Sequence, residues 1–312
     1  MSVYPSQNFR VCISVNNFKT EDKELDFGDF KLISVGQGPQ AAEWKRRLGC
    51  KVVPRNILIK EFPNYRMRDD DISGFDGIRD SIQDLLLVFR LFKVGDIMFG
   101  DLLIEDIEGN DSWYNKYSLA KRSFFKYDFG QDEIESFNNF RDNITNKDGY
   151  RNKFYKFSLN HFMSGVDKRF SYKIENLERI VDYVVALESL FLIDNKPYFL
   201  RRTIAERISR LLKDNSVGKI VKYMYDERSD ILHGNNIDLP KNKRSKKIEK
   251  IKDNMWAPEE LMRNIFKKLF DFNFSKKEDI VKFMEQLYDV PSYILEIMQS
   301  AKGKAEKALK KT

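Results

Sequence analysis

With 312 residues, 42% of them hydrophobic, and with 25 Phe and 14 Tyr, the chain is long and apolar enough for two domains with separate cores, which excludes a disordered polymer. Its residues are 33% charged, the formal net charge is +7, and no apolar run approaches the roughly 18 residues of a membrane span, so a cytoplasmic protein without a membrane partner is predicted. Two cysteines, Cys12 and Cys50, are too few for a disulfide framework or a cysteine zinc cage and read as buried free thiols.

Residues 1–150 mix strand and helix signals. FRVCISV (9–15) alternates with period two, and KVVPRNILIKEF (51–62) is a β-branched run that Pro54 pushes toward an edge or a bulge. FDGIRDSIQDLLLVFRLFK (75–93) carries Ile78, Ile82, Leu85, Leu86, Phe89 and Phe92 near one 3.6-residue stripe, predicting an amphipathic helix. DIMFGDLLIED (96–106) is a third strand, and QDEIESFNNFRDNI (131–144), preceded by Gly130, predicts a second helix. Asp69, Asp70 and Asp71 lack the spacing and closing Glu of a calcium loop and read as a solvated turn. DNITNKDGYRNK (142–153) suits a connector between domains. An α+β domain over 1–150, followed by an all-α bundle over 151–312, is therefore predicted.

Beyond the connector the strand signals stop. Helical patterns cover 176–193, 199–213, 216–234 and 258–272, with a fifth at 277–288, and the short breaks between the first three favour antiparallel neighbours. KNKRSKKIEKIK (241–252) carries a net +6 and residues 301–312 a net +4, so the remainder of the chain carries −3. The basic excess is thus two local segments. They read as solvated lysine loops or, at Lys241, Lys243, Arg244, Lys246 and Lys247, as an RNA-binding stretch that attracts phosphate. No phosphate-binding loop, dinucleotide-binding glycine pattern, nucleophile elbow or metal-ligand cluster occurs.

The helix over 216–234 holds the polar residues that invite a chemical reading. Ser216 is its expected N-cap, and Val217, Ile220, Val221, Met224, Ile231 and Leu232 form an inward stripe closing at Gly234. Arg228 falls within that stripe, about 80° round from Ile220, so its guanidinium must be paired or must face a cleft. His233 lies about 140° round from Arg228, and bringing both to one cavity requires the last turn to unwind toward Gly234. An imidazole at a helix C-terminus sits beside unpaired carbonyls that favour its cationic, proton-donating form. The purely structural alternative pairs Arg228 with Glu188 or Glu206 and leaves His233 as a cap. His161, in FSLNHFMSGV, shows no partner in the sequence and reads as a packing or capping residue.

Taken in order, VVALESLFLIDN, LRRTIAERISRLLKDN and IVKYMYDERSDILHGNN resemble the Apea-like branch of the HEPN superfamily, whose members carry an "aLE" helix, an "aeRia.lL" helix and an "lY..R..ilHG" helix at similar separations. The likeness spans residues 155 to 290. It implies a helical bundle that pairs about a two-fold axis into a homodimer and, in many members, cleaves RNA without a metal or other cofactor. Arg228 and His233 match the family's R-x4-6-H pair, and Glu188 matches its helix-borne acid. Ser229 stands where active members often carry Asn, Asp or His. Asn235 stands where one subgroup has a tyrosine that a partner transferase adenylylates, so that modification is not indicated.

What the resemblance implies is a metal-independent endoribonuclease of a prokaryotic antiphage or toxin system. Cleavage by 2′-hydroxyl attack needs a base, an acid and positive charge on the phosphate. Arg228 would supply the charge and His233 from two protomers the base and acid, supported by Glu188, Ser229 and Asn235. The expected substrate is tRNA or another single-stranded loop, and the N-terminal domain would meet a regulatory partner or trigger. The alternative is a non-catalytic HEPN module for dimerisation and for nucleic-acid or partner binding.

Overall fold

The computed structural model describes residues 7–50, 54–65, 75–108, 112–115, 126–146, 152–168, 175–193, 200–233, 256–272 and 274–286. The chain divides into two units, Met1–Lys147 and Asp148–Thr312, the first sheet-rich and the second helical. The division falls inside the polar stretch 142–153. No helix among the described residues is long and apolar enough to cross a membrane.

In the first unit β1 (Gln7–Asn16) alternates strictly over its middle: Phe9, Val11, Ile13 and Val15 enter one core and Cys12 enters another. After it come β2 (Phe18–Lys19), β3 (Glu24–Asp26), β4 (Phe30–Ser34), α1 (Pro39–Arg47), β5 (Asn56–Tyr65), α2 (Asp76–Phe92), β6 (Met98–Asp106), β7 (Ser112–Asn115), β8 (Tyr127–Asp128) and α3 (Ile134–Thr145). Six strands pair antiparallel in the order β3-β4-β5-β1-β6-β7, with Val11 opposite Lys60 on β5 and Ile104 on β6. β2 and β8 form a separate parallel pair. α2 and α3 cover the face that bears Phe9, and there Phe89 stacks on Phe137 at 4.5 Å between ring centroids. α1 covers the other face, packing Ala41 and Trp44 with Cys12, Ile57 and Leu103.

Pro54 does not send its strand to an edge. β5 begins two residues later, so the missing N–H stays outside the ladder, and the strand lies between β4 and β1. The proline at the irregularity is Pro63. β1 pairs Phe9 with Phe62 and then Gln7 with Tyr65, leaving Pro63 and Asn64 opposite Asn8 as a bulge. Asn8 Oδ1 accepts the Asn64 N–H at 2.8 Å, and β4 pairs only as far as Lys60, so the proline's flank toward β4 is not called on to donate. Gly95 has φ +153°, and a Cβ there would stand 2.8 Å from the Tyr127 Cα, so this turn requires glycine.

The second unit contains, among the described residues, α4 (Lys153–Asp167), α5 (Glu175–Phe191), α6 (Leu200–Leu212), α7 (Val217–Leu232), α8 (Trp256–Phe270) and α9 (Lys277–Gln286). α5 packs against each of the other five. Its rotation is set by a buried charge cluster. Glu259 of α8, 0% exposed, accepts from Arg179 of α5 at 2.6 Å, from the Tyr183 hydroxyl at 3.3 Å and from Arg263. Arg179 also donates through Nε to the Gly165 carbonyl of α4 at 3.1 Å. A Cβ at Gly165 would lie 2.3 Å from the Tyr183 ring, so α4 meets α5 at a residue without a side chain. At the carbonyl end of α5, Lys277 donates to Glu188 O at 3.3 Å and Arg207 to Phe191 O, cations placed where the helix dipole favours them.

Glu259→Ala is expected to leave two buried guanidiniums without their shared carboxylate and to lower unfolding free energy by about 3–5 kcal/mol; a urea midpoint equal to wild type would contradict this account of the core. Both cysteines are free and buried, and burial foremost pushes the Cys12 and Cys50 thiols up to about 12. A thiol-reactive chromogen at pH 8 is therefore expected to label the native protein slowly and to label both cysteines at once in denaturant.

Candidate functional site

α7 is defined at both ends by hydrogen bonds. Ser216 holds the expected N-cap position without a side-chain cap bond; its own N–H donates to Asp214 Oδ1 at 2.7 Å, and hydrogen bonding from the Ser216 hydroxyl first, and then from this N–H, holds the Asp214 carboxyl below its usual range. At the other end His233 is the C-cap, with φ −86° and ψ 2°, and its N–H still donates to Ser229 O at 3.0 Å. The helix therefore does not unwind before the histidine. Gly234 and Asn235 lie outside the described residues, as do Lys241, Lys243, Arg244, Lys246 and Lys247.

Because α7 keeps its regular geometry, Arg228 and His233 point about 140° apart. Val217, Val221, Met224 and Tyr225 are buried, while Lys219, Lys222, Asp226, Ser229 and His233 lie on the exposed side. The expected inward stripe stops short of the C-terminus: Ile231 is half-buried and Leu232 is 59% exposed. No hydrogen bond or ion pair joins Arg228 to His233 among the described residues.

Arg228 sits where the buried stripe meets the surface. Its side chain is 29% exposed, and Nη1 stands 3.4 Å from Glu188 Oε1 on α5, itself 21% exposed. The Tyr225 hydroxyl donates to the same carboxylate oxygen at 3.1 Å. Arg228 Nε is buried without a hydrogen-bond partner. Of the two carboxylates expected to compete for Arg228, Glu188 has it, and Glu206 accepts from Arg202 at 2.7 Å. Tyr225 was not singled out in the sequence, although three residues of separation put it on the Arg228 face. Ser229, by contrast, shares the outward stripe with His233.

His161 does have a partner, contrary to expectation. Its Nδ1 lies 3.2 Å from Asp182 Oδ1 on α5, and Asp182 also accepts from Ser164 Oγ at 3.1 Å and pairs with Lys168 at 2.8 Å. His161 and Asp182 belong to different helices, so no local pattern announces the pair. α5 thus offers one carboxylate to α4 and another, Glu188, to α7.

No family model matches the chain, and no curated protein or solved structure is significantly similar to it. The chemistry of the site has to be read from its own groups. A guanidinium with an unbonded Nε and a long ion pair can exchange its carboxylate for another oxyanion. An exposed imidazole can take or give a proton. One copy of α7 cannot aim both at the same atom.

Burial first, and then the Glu188 carboxylate, push the Tyr225 phenol well above its usual range. In the unfolded chain a phenol ionises near about pH 10. Between these limits the folded state keeps a proton that the unfolded state has lost, so stability present below about pH 10 falls as pH rises further. Tyr225→Phe is expected to make that decline shallower, read as urea midpoints at pH 9 and pH 11. Parallel declines in the two proteins would show that the phenol is not held in this way.

Proposed function

We propose that the helical unit is a HEPN-like bundle and that two copies of the chain form a metal-independent endoribonuclease. The observation that carries this reading is the state of two side chains on α7, a half-exposed Arg228 with an unfilled donor and an exposed His233 at the carbonyl end of the helix. Since they diverge on one helix, the composite site draws its groups from two chains about a two-fold axis. One His233 accepts the proton of the ribose 2′-hydroxyl, whose oxygen attacks phosphorus. The bond to the 5′-oxygen breaks as the other His233, protonated, gives that oxygen its proton. The products are a 2′,3′-cyclic phosphate and a 5′-hydroxyl. Arg228 exchanges Glu188 for the phosphate oxygens, for which its planar fork is suited, and Tyr225 holds Glu188 while it does so.

Substrate and setting follow the resemblance: tRNA or other single-stranded loops, in antiphage defence or growth arrest, with the sheet-rich unit meeting a trigger or partner. One observation favours a second reading, a HEPN module that holds a nucleic acid or partner without cutting it. Arg228 is already engaged by Glu188, and a guanidinium that never leaves its carboxylate would serve only to join α7 to α5.

Incubation with total RNA in EDTA distinguishes the two. The wild type is expected to release fragments with 2′,3′-cyclic phosphate ends, and His233→Ala to reduce the rate by about 10²–10⁴. Adding an excess of His233→Ala chains to wild type is expected to suppress the wild-type activity, because a mixed pair keeps only one of the two imidazoles that the step needs. RNA binding without cleavage in every condition, unchanged by His233→Ala, would favour the holding module instead.

A further inference from the structure

The outward side of α7 carries a row that the catalytic reading leaves unused. Lys219, Lys222, Asp226, Ser229 and His233 recur at spacings of three and four and are all exposed, so they form a stripe about 21 Å long ending at the histidine. Lysines on a helix surface are commonly just solvated. Here two of the neighbouring acids are already neutralised by arginines of α6. Asp226, the acid on the stripe, pairs with Arg201, and Glu206 pairs with Arg202. Asp230 borders the stripe, about 20° round from Lys219, but is half-buried and is itself engaged in an interaction. Among the described residues no ion pair involves Lys219 or Lys222, so their charge faces solvent uncompensated. Beyond His233 the chain leads within eight residues into the basic segment 241–252.

Resting on the ribonuclease reading above, we infer that this stripe is a track for the sugar-phosphate backbone of single-stranded RNA, delivering it to His233. Two free lysines one helical turn apart, followed by a serine hydroxyl, suit successive phosphates of an extended strand and carry no means of reading its bases. The track answers a difficulty at its own end. The carbonyl terminus of α7 repels phosphate, so a strand that reaches His233 depends on cations placed upstream. A duplex, with phosphates on two strands, would engage this single row along only one of them.

The test uses the full chain and a fluorescein-labelled single-stranded RNA of about 12 nucleotides, within the site sizes such surfaces cover, made with 2′-O-methyl riboses so that it cannot be cut. Binding is followed by anisotropy from 50 to 200 mM salt. Each lost phosphate contact on a single strand lowers the slope of log affinity against log salt by about 0.7, so Lys219→Gln/Lys222→Gln is expected to lower it by about 1.4. The control Lys45→Gln/Arg46→Gln, on α1, is expected to leave it alone. An unchanged slope, an equal loss in the control, or wild-type binding to anionic phospholipid vesicles but not to RNA overturns the track. Wild type that binds RNA with the expected slope change yet never cuts it supports the track and removes the ribonuclease reading; unchanged slope with cleavage lost in His233→Ala does the reverse.

Discussion

The helical unit depends on one carboxylate. Glu259 is wholly buried on α8, where Arg179, Arg263 and the Tyr183 hydroxyl surround it with the donors that a buried carboxylate requires. Two of those donors belong to α5, four residues apart on one face, so satisfying Glu259 fixes how α5 is turned. Turning a helix decides where all its other side chains point. With Arg179 and Tyr183 committed to α8, Asp182 meets His161, Ser164 and Lys168 of the α4 side, and Glu188 meets Tyr225 and Arg228 of α7. The candidate site inherits its geometry from a core interaction that contains none of its residues.

A second constraint is the regularity of α7. A last turn unwound toward Gly234 would let one chain gather Arg228 and His233. The Ser229 carbonyl keeps its bond to the His233 N–H, and the two side chains stay on separate sides. Any chemistry that uses both is then a property of an assembly. That is a condition on function imposed by backbone hydrogen bonding alone.

Periodicity made the long, amphipathic elements legible: β1, β6 and α2 in the first unit, and α5 to α9 in the second, all fall on predicted segments. What it missed was short or interrupted. β3 and β4 are three and five residues long, and α1 buries only Ala41 and Trp44, too little for a stripe. α4 has the stripe Tyr155, Ser158, Leu159, Phe162 and Val166, but a polar residue sits in it. Ser158 is tolerated in the core because its hydroxyl donates to Ala186 O at 3.0 Å, a partner 28 residues away. The same limit applies to the site. The angle between Arg228 and His233 is readable from helix geometry, and Glu188 is readable as one of two candidate acids. The choice between Glu188 and Glu206, and the pairing of His161 with Asp182, depend on how helices distant in sequence are turned against one another.

Guanidinium on carboxylate occurs twice in this unit with opposite consequences. Arg179 and Glu259 are 2.6 Å apart with almost no exposed surface, and separating them would strand charges in a medium that cannot solvate them. Arg228 and Glu188 are 3.4 Å apart, each partly open to water, and Tyr225 already satisfies the carboxylate oxygen they share. Moving Arg228 therefore strands nothing: Glu188 keeps the phenol and gains water, and the partly exposed guanidinium can turn toward an incoming oxyanion. Desolvation distinguishes the fixed pair from the exchangeable one. It places the exchangeable pair at the edge of the bundle, where α7 meets α5, and the fixed pair at its centre.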